Sequence, residues 1–325
     1  MRDPMQPKVF VIIINWNGER DTIVCLDSLL KINYDNCHVL LSDNGSRKES
    51  LDVLKDWNAT HIKEGRSGIA ALQILENGKN LGFTGANTVG INHALANGAD
   101  YVLFLNNDTI VTPEFLTRMV VAAEADSSAG IVGCKIFYAK ADQQGKHKIW
   151  SLGGYAFVRG MPLNIEAESY DHPEWRGVKE QPLINGCCML IKRGVIETVG
   201  VQDDQLFFGM DDVDYSLRAS RHGWNNLVVL DAVIYHASAQ SVVPRSGLQI
   251  YYIVRNALQL RTKNFPWSQN LLFFVVFAIR YIAIGSLYRW IRGNGSINRG
   301  ICFALLDFYR GNTGECQHTQ ALKGR

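Results

Sequence analysis

The sequence predicts an α/β protein: a doubly wound, Rossmann-like, mostly parallel sheet followed by a C-terminal helical extension. Three observations carry this. Short, continuously apolar runs alternate with helical stretches through the first 137 residues; each run ends in a polar segment rich in Gly or Asn; and from residue 246 the chain turns basic, apolar and helical in spacing.

Taken in order, the first apolar run covers residues 9–14 and stops at Asn15, too short for a secretory leader, so residues 8–15 read as a buried strand. Further strands are expected over 38–42, 72–75, 101–105 and 130–137. Helices are expected between them over 21–31, 48–57, 86–97 and 113–125, the last with Thr112 as N-cap and Pro113 in its first turn. Residues 150–241 form a second block of short strands and loops with one strong helix over 213–222. Helical spacing then runs over 248–262 and 271–290, with a third helix around 301–309. The boundaries this suggests are one domain over 1–245 and a tail over 246–325.

With 325 residues, 47% hydrophobic and 20% charged, the chain can bury a large core, which excludes a disordered or fibrous protein. Its formal charge of +2 hides an asymmetry. From Arg245 onward there are eleven Lys/Arg against two acids, a net +9, which leaves −7 for the first 244 residues. The density of Leu, Ile, Phe and Val in that basic tail fits lipid or helix packing rather than a nucleic-acid groove. Nine apolar residues run unbroken over 271–279, but Arg280 interrupts the stretch, at a cost of about 2.5–3.5 kcal/mol at a bilayer centre. An interfacial helical hairpin, helices buried against the core or a dimer mate, and a true span all remain open. Seven cysteines, with no CxxC pair, fit neither a zinc site nor a disulfide framework, and free thiols of a cytoplasmic protein are expected.

Ligands of doubly wound sheets bind beyond the carboxyl ends of the strands, which directs attention to the segments 15–18, 43–46, 80–87 and 106–108. Asp108 is delivered to that edge by the strand over 101–105. A hard divalent cation, Mn or Mg, would use its carboxylate while bridging nucleotide phosphates, although Asn-Asn-Asp also reads as a turn into the next helix. Gly82 and Gly85 allow close backbone approach to a ligand, but the segment is neither GxGxxG nor a P-loop. Asp43 could accept from a nucleobase or ribose, or Asp-Asn-Gly-Ser could be a plain turn. Asp211, Asp212 and Asp214 crowd the start of a helix, where capping alone would need fewer acids, and one of them could act as a general base. Asp211 and Asp212 point about 100° apart on a helix and should have different duties. His236 is a structural histidine or a metal ligand.

Seven segments stand in an order that resembles the inverting family 2 glycosyltransferases, in particular their rhamnosyltransferase-like branch: 11–18 (Val-Ile-Ile-Ile-Asn-Trp-Asn-Gly), 42–46 (Ser-Asp-Asn-Gly-Ser), 80–87 (Asn-Leu-Gly-Phe-Thr-Gly-Ala-Asn), 104–108 (Phe-Leu-Asn-Asn-Asp), 185–193, 207–214 (Phe-Phe-Gly-Met-Asp-Asp-Val-Asp) and 251–256 (Tyr-Tyr-Ile-Val-Arg-Asn). The resemblance implies a GT-A fold and transfer of a sugar, with rhamnose the leading guess, from a dTDP- or UDP-sugar to a saccharide or lipid-linked hydroxyl in cell-surface polysaccharide synthesis. It implies that Asp212 is the base, ionised at neutral pH by its ordinary pKa of about 3.9, with Asp211 where Glu is commoner. Asn15, Asn17, Asp43, Asn80, Gly82, Phe83, Asn87 and Asn107 would line the nucleotide pocket, and Asp108 with His236 would hold the metal. Asn185, Gly186, Asp214 and Trp224 would position the acceptor. Asn106 departs from the family's metal motif, which begins with Asp. The tail would then lie on the inner face of the membrane or pair two copies of the chain. A sugar-phosphate nucleotidyltransferase and a non-catalytic membrane-surface scaffold are the competing readings.

Overall fold

The computed structural model describes residues 6–61, 69–158, 161–237, 246–279 and 295–322. Its centre is a ten-stranded sheet. Strands β1 (Val9–Asn15), β2 (Cys37–Asp43), β3 (Ala71–Glu76) and β4 (Tyr101–Leu105) are mutually parallel in the order β3-β2-β1-β4. The register pairs Asn15 with Asp43 at the ends of β1 and β2. A short β5 (Thr109–Val111) follows, then β6 (Ala129–Tyr138), β7 (Ile149–Ser151), a separate hairpin of β8 (Tyr155–Val158) and β9 (Met161–Asn164), β10 (Val178–Glu180), β11 (Cys188–Lys192) and β12 (Asn225–His236). The sheet is not wholly parallel, because β11 inserts antiparallel between β4 and β6 while β12 runs parallel to β6.

Alternation along β1 separates two core layers, as a period of two requires. Val9, Val11 and Ile13 face α1 (Glu19–Leu29), α2 (Lys48–His61) and α4 (Phe115–Ala125). Phe10 and Ile12 face α3 (Gly82–Ala96), α5 (Arg193–Val199) and α6 (Asp211–Arg221). Several helix starts differ from the sequence expectation, two of them for a reason the hydrogen bonds show. Helix α4 begins at Phe115 with Glu114 at its N-cap, because the Thr112 hydroxyl donates instead to the Val233 carbonyl of β12. Helix α3 begins at Gly82, four residues before 86, because the Phe207 carbonyl accepts from the Phe83 and Thr84 amides and replaces a capping side chain.

The tail folds as a helical layer. Helix α7 (Gly247–Asn264) opens with a capping box between Ser246 and Gln249, and packs with α8 (Trp267–Phe277), α9 (Gly295–Arg310) and the short α10 (Thr319–Leu322). Leu260 of α7 also packs with Val213 of α6 and Leu183, which joins this layer to the sheet domain. The helix expected over 271–290 therefore starts at Trp267, and residues 280–290 lie outside those described. All seven cysteines are free, six of them buried. Among the described residues no helix is long and apolar enough to cross a membrane.

Candidate active site

The polar segments beyond β1, β2 and β4 meet as one hydrogen-bonded edge. Asn15 is fully buried; its amide donates to Asp43 at 3.1 Å and to Ser46 at 3.0 Å, while its Oδ1 accepts from the Gly18 amide and the Thr22 hydroxyl. Asp43 is thus engaged by Asn15 and by the Ser46 amide. Asn17, exposed and left-handed at φ 55, accepts from the Arg47 amide and side chain. Asn107 donates to Thr22. Asn80 accepts from the Gly82 amide and from Asn44, whose amide also donates to the Gly82 carbonyl. Gly82 sits at φ +75, and a Cβ there would lie 2.5 Å from the Phe207 carbonyl oxygen, so this crossing admits glycine alone.

The opposite wall is the start of α6. Asp212 Oδ2 accepts from the Tyr155 hydroxyl at 2.7 Å and the Gly186 amide at 2.8 Å, and Oδ1 accepts from the Val213 amide. Asp211 Oδ2 accepts from Gln202, which in turn accepts from Asn87. Burial lifts both carboxyls above their ordinary range. Asp211 is pushed up to about 7, first by desolvation and then by the neighbouring Asp212 charge. Asp212 is raised by desolvation and held back by its donors, Tyr155 first. Ionisation of Asp212 therefore rests on those donors rather than on an ordinary carboxylate environment.

Asp214 turns away from this wall to an ion pair with Arg218 at 2.8 Å and a bond from Asn264. Trp224 lies beyond the far end of α6, packed against the second core layer. Asn185 donates to Asn164 and its Oδ1 accepts from the Cys187 amide, which shapes the turn that presents Gly186 to Asp212.

Asp108 and His236 come together, with Asp108 Oδ1 2.9 Å from His236 Nε2. The imidazole is buried edge-on against Trp150, and its Nδ1 has no hydrogen-bond partner. For the two side chains to share an ion Nε2 must be the ligand, taking the place of its bond to Asp108, and Nδ1 then carries the proton, buried and without a hydrogen-bond partner among the described residues, at a cost of about 1–3 kcal/mol. Carboxylate and imidazole suit a divalent cation of the Mn type. Among the described residues no cluster of three or more His, Cys, Asp or Glu could hold a metal. The pair fits an ion whose remaining ligands come from a bound substrate.

Two cavities meet here. The larger, about 620 Å³, is lined by Asp211, Asp212, Tyr155, Trp150 and His236, with Ile250, Val254 and Phe277 of the tail on its apolar side. The smaller, about 380 Å³, is lined by Trp16, Asn87, Asn107 and Asp108. Phe83, Asn106 and Phe208 line both. Tyr155 and Gln202 escape a reading of motifs, and Asn44, inside the 42–46 segment, has no role assigned by it. Tyr155 lies in the poorly patterned stretch 139–181, and a lone Gln in a loop carries no periodic signal.

Comparison with known proteins places the chain among relatives of known family and fold. The chain is 25% identical over 268 residues to the dTDP-rhamnosyl transferase RfbF of Shigella flexneri, covering 80% of this chain and 82% of that one. It is 28% identical over 221 residues to the N-acetylglucosaminyl-diphospho-decaprenol L-rhamnosyltransferase of Mycobacterium tuberculosis, covering 62% and 67%. The structure superposes on the mannosyltransferase PcManGT of Pyrobaculum calidifontis, solved with GDP-Man and Mn2+, with a TM-score of 0.54 and 16% identity over 99% of this chain and 82% of that one, a likeness of GT-A fold. A model of the family "Glycosyltransferase like family 2" matches residues 7–255, from before β1 to the middle of α7, which takes in every residue named for the smaller cavity and all of those named for the larger one except Phe277. The chain belongs to that family and is a glycosyltransferase of GT-A fold.

Proposed function

We propose that this enzyme transfers a sugar with inversion from a nucleoside diphosphate donor, dTDP-rhamnose first among candidates, to a hydroxyl of a saccharide or lipid-linked saccharide in polysaccharide synthesis. The observation that carries the reading is the pairing of Asp212, fixed by Tyr155 and Gly186, with a second cavity that holds Asp108. The donor occupies the smaller cavity, with Trp16 available to a base and Asn87 and Asn107 to polar groups. The acceptor enters the larger one.

Asp212 takes the acceptor's proton as that oxygen forms its bond to the anomeric carbon. The bond from that carbon to the diphosphate breaks on the opposite face and the nucleoside diphosphate leaves, so one displacement inverts configuration. Asp211 stores charge or a proton beside the base and, through Gln202, ties it to Asn87 on the donor side. Asp108 and His236 would hold a Mn or Mg ion, which when bound offsets negative charge on the diphosphate.

The tail is read as resting on an anionic membrane surface where a lipid-linked acceptor is found. This is supported by its net charge of +9 and by Trp267, Leu271, Val275 and Ile279, which form one exposed apolar line at i, i+4 spacing. The test of the donor is a thermal-shift panel of dTDP-, UDP- and GDP-sugars with Mn, followed by a transfer assay with the sugar that stabilises. Stabilisation by a UDP- or GDP-sugar alone sinks the rhamnose assignment, and release of pyrophosphate from a nucleoside triphosphate would revive a nucleotidyltransferase.

A further inference from the structure

The motif Tyr251–Asn256 lies on α7, outside both roles described so far, yet it is densely hydrogen-bonded. Arg255 is fully buried, and among the described residues no carboxylate forms an ion pair with it. Its Nη1 donates to the Gly314 carbonyl at 2.8 Å and the Tyr251 hydroxyl at 3.1 Å, its Nη2 to the Gln205 and Leu206 carbonyls, and its Nε to Asn256. Asn256 Nδ2 in turn reaches three carbonyls, Leu206 at 2.8 Å, Phe208 at 2.9 Å and Gly209 at 3.0 Å. Two adjacent side chains thus hold the backbone of 205–209, the segment that runs directly into Asp211 and Asp212.

That segment needs holding. Phe207 at φ 62 and Met210 at φ 66 are left-handed without being glycine, and Met210 starts α6 with no side-chain cap. Such conformations persist only where the surroundings over-determine them. The same turn sends the Phe207 carbonyl to the N-terminus of α3 on the donor side. Behind Arg255 the network continues: the Tyr251 hydroxyl donates to Asp307 at 2.6 Å, and His318 lies 3.1 Å from the same carboxylate.

We propose that Arg255 and Asn256 are positioning residues that set the 205–210 turn, and with it the direction of the Asp211–Asp212 pair, so that the C-terminal helical layer is part of the catalytic apparatus. This rests on the glycosyl-transfer reading for its kinetic consequence but not for its geometry. Replacing Asn256 by aspartate keeps the volume while removing the donor that three carbonyls share. Replacing Arg255 by lysine keeps the charge but not the fork that serves five acceptors.

The test compares Asn256→Asp, Arg255→Lys and the milder Tyr251→Phe with the wild-type chain. Measurements are kcat and acceptor KM, donor affinity by calorimetry, melting temperature, and amide hydrogen exchange in the peptide 204–212. For Asn256→Asp a loss in kcat of tenfold or more is expected, with donor affinity within threefold and faster exchange confined to 204–212. Arg255→Lys should lie between it and the wild type. A kcat within twofold of wild type in Asn256→Asp overturns the proposal, as does a uniform loss of donor affinity, transfer and exchange protection across all folded variants. Should Asn256→Asp not fold, Tyr251→Phe decides: unchanged kcat and unchanged exchange in 204–212 overturn it. Absence of wild-type turnover with every nucleotide-sugar refutes glycosyl transfer instead, and exchange in 204–212 still judges the clamp.

Discussion

The Tyr155 hydroxyl donates to Asp212 Oδ2 across 2.7 Å, linking a hairpin strand of the irregular middle block to the carboxylate at the head of α6. Of the groups that oppose desolvation of this acid, Tyr155 acts most strongly. Asp212→Asn should reduce transfer by about 10²–10⁴-fold, the usual share of a general base, with nucleotide affinity nearly intact. Tyr155→Phe should leave the base in place but harder to ionise. A hydrogen bond to a charged group contributes about 1.5–3 kcal/mol, so the acid limb of the kcat–pH profile should move up by about one to two units. Initial rates across pH 5 to 9 check both, and retained turnover in Asp212→Asn removes it from the role of base.

Asp211 makes a separate prediction about stability. Its carboxyl is raised in the folded protein from 3.8 to about 7, so between those values the folded state binds more protons than the unfolded state. Stability from this group is full below about pH 4 and is lost as pH rises through about 7. Asp211→Asn abolishes the penalty, and its melting temperature should exceed that of the wild type at pH 8 by an amount reflecting a few kcal/mol, on the order expected for such a shift. The difference should shrink toward pH 5. Equal melting temperatures at pH 8 would show that the pair does not share charge as described.

Much of this arrangement is legible in the residues themselves. Apolar runs ending in Asn15, Asp43 and Leu105 mark the parallel strands, because side chains buried on both faces leave no alternation and the chain turns polar where the sheet ends. Asp211 and Asp212 stand out by density of charge. Cys188–Lys192 does not announce that it will insert antiparallel between β4 and β6, since strand order depends on distant pairing rather than local pattern. The early start of α3 is hidden for the same reason: its cap is the carbonyl of Phe207, more than a hundred residues away. Nor does spacing separate Asp214, turned to Arg218, from its neighbours. Only the helix phase, read with the partner in place, divides the three acids into two that face the cavity and one that does not.

The Asp108–His236 pair predicts a modest, substrate-assisted metal site. With two protein ligands, Mn should bind weakly alone and more tightly with a nucleoside diphosphate, whose oxygens complete the shell. Calorimetry of UDP and dTDP with and without Mn should show metal-dependent affinity that falls roughly tenfold or more in Asp108→Ala and in His236→Ala. Metal-independent binding of equal strength in all three proteins would reduce the pair to a structural contact.

The exposed line that runs along α8 to Ile279, just past its end, predicts how the enzyme meets its acceptor. Trp267 is 74% exposed, Leu271 54%, Val275 47% and Ile279 55%, and residues four apart share one helix face. A line of exposed apolar side chains of this kind, in a stretch of sequence that carries a net +9, is unfavourable in water and favourable at a headgroup boundary, where Trp is well accommodated. The wild-type chain should co-sediment with vesicles containing anionic lipid, less with neutral ones, and less again at high salt, because the charge contribution of about 1 kcal/mol per Lys or Arg is screened within a Debye length. Val275→Ser combined with Leu271→Ser should release it while leaving transfer to a short, water-soluble acceptor unchanged, since neither side chain reaches the carboxylate cavity. A wild-type chain that stays in the supernatant but sediments as a dimer, reverting to monomer on the same substitutions, would assign the strip to self-association instead.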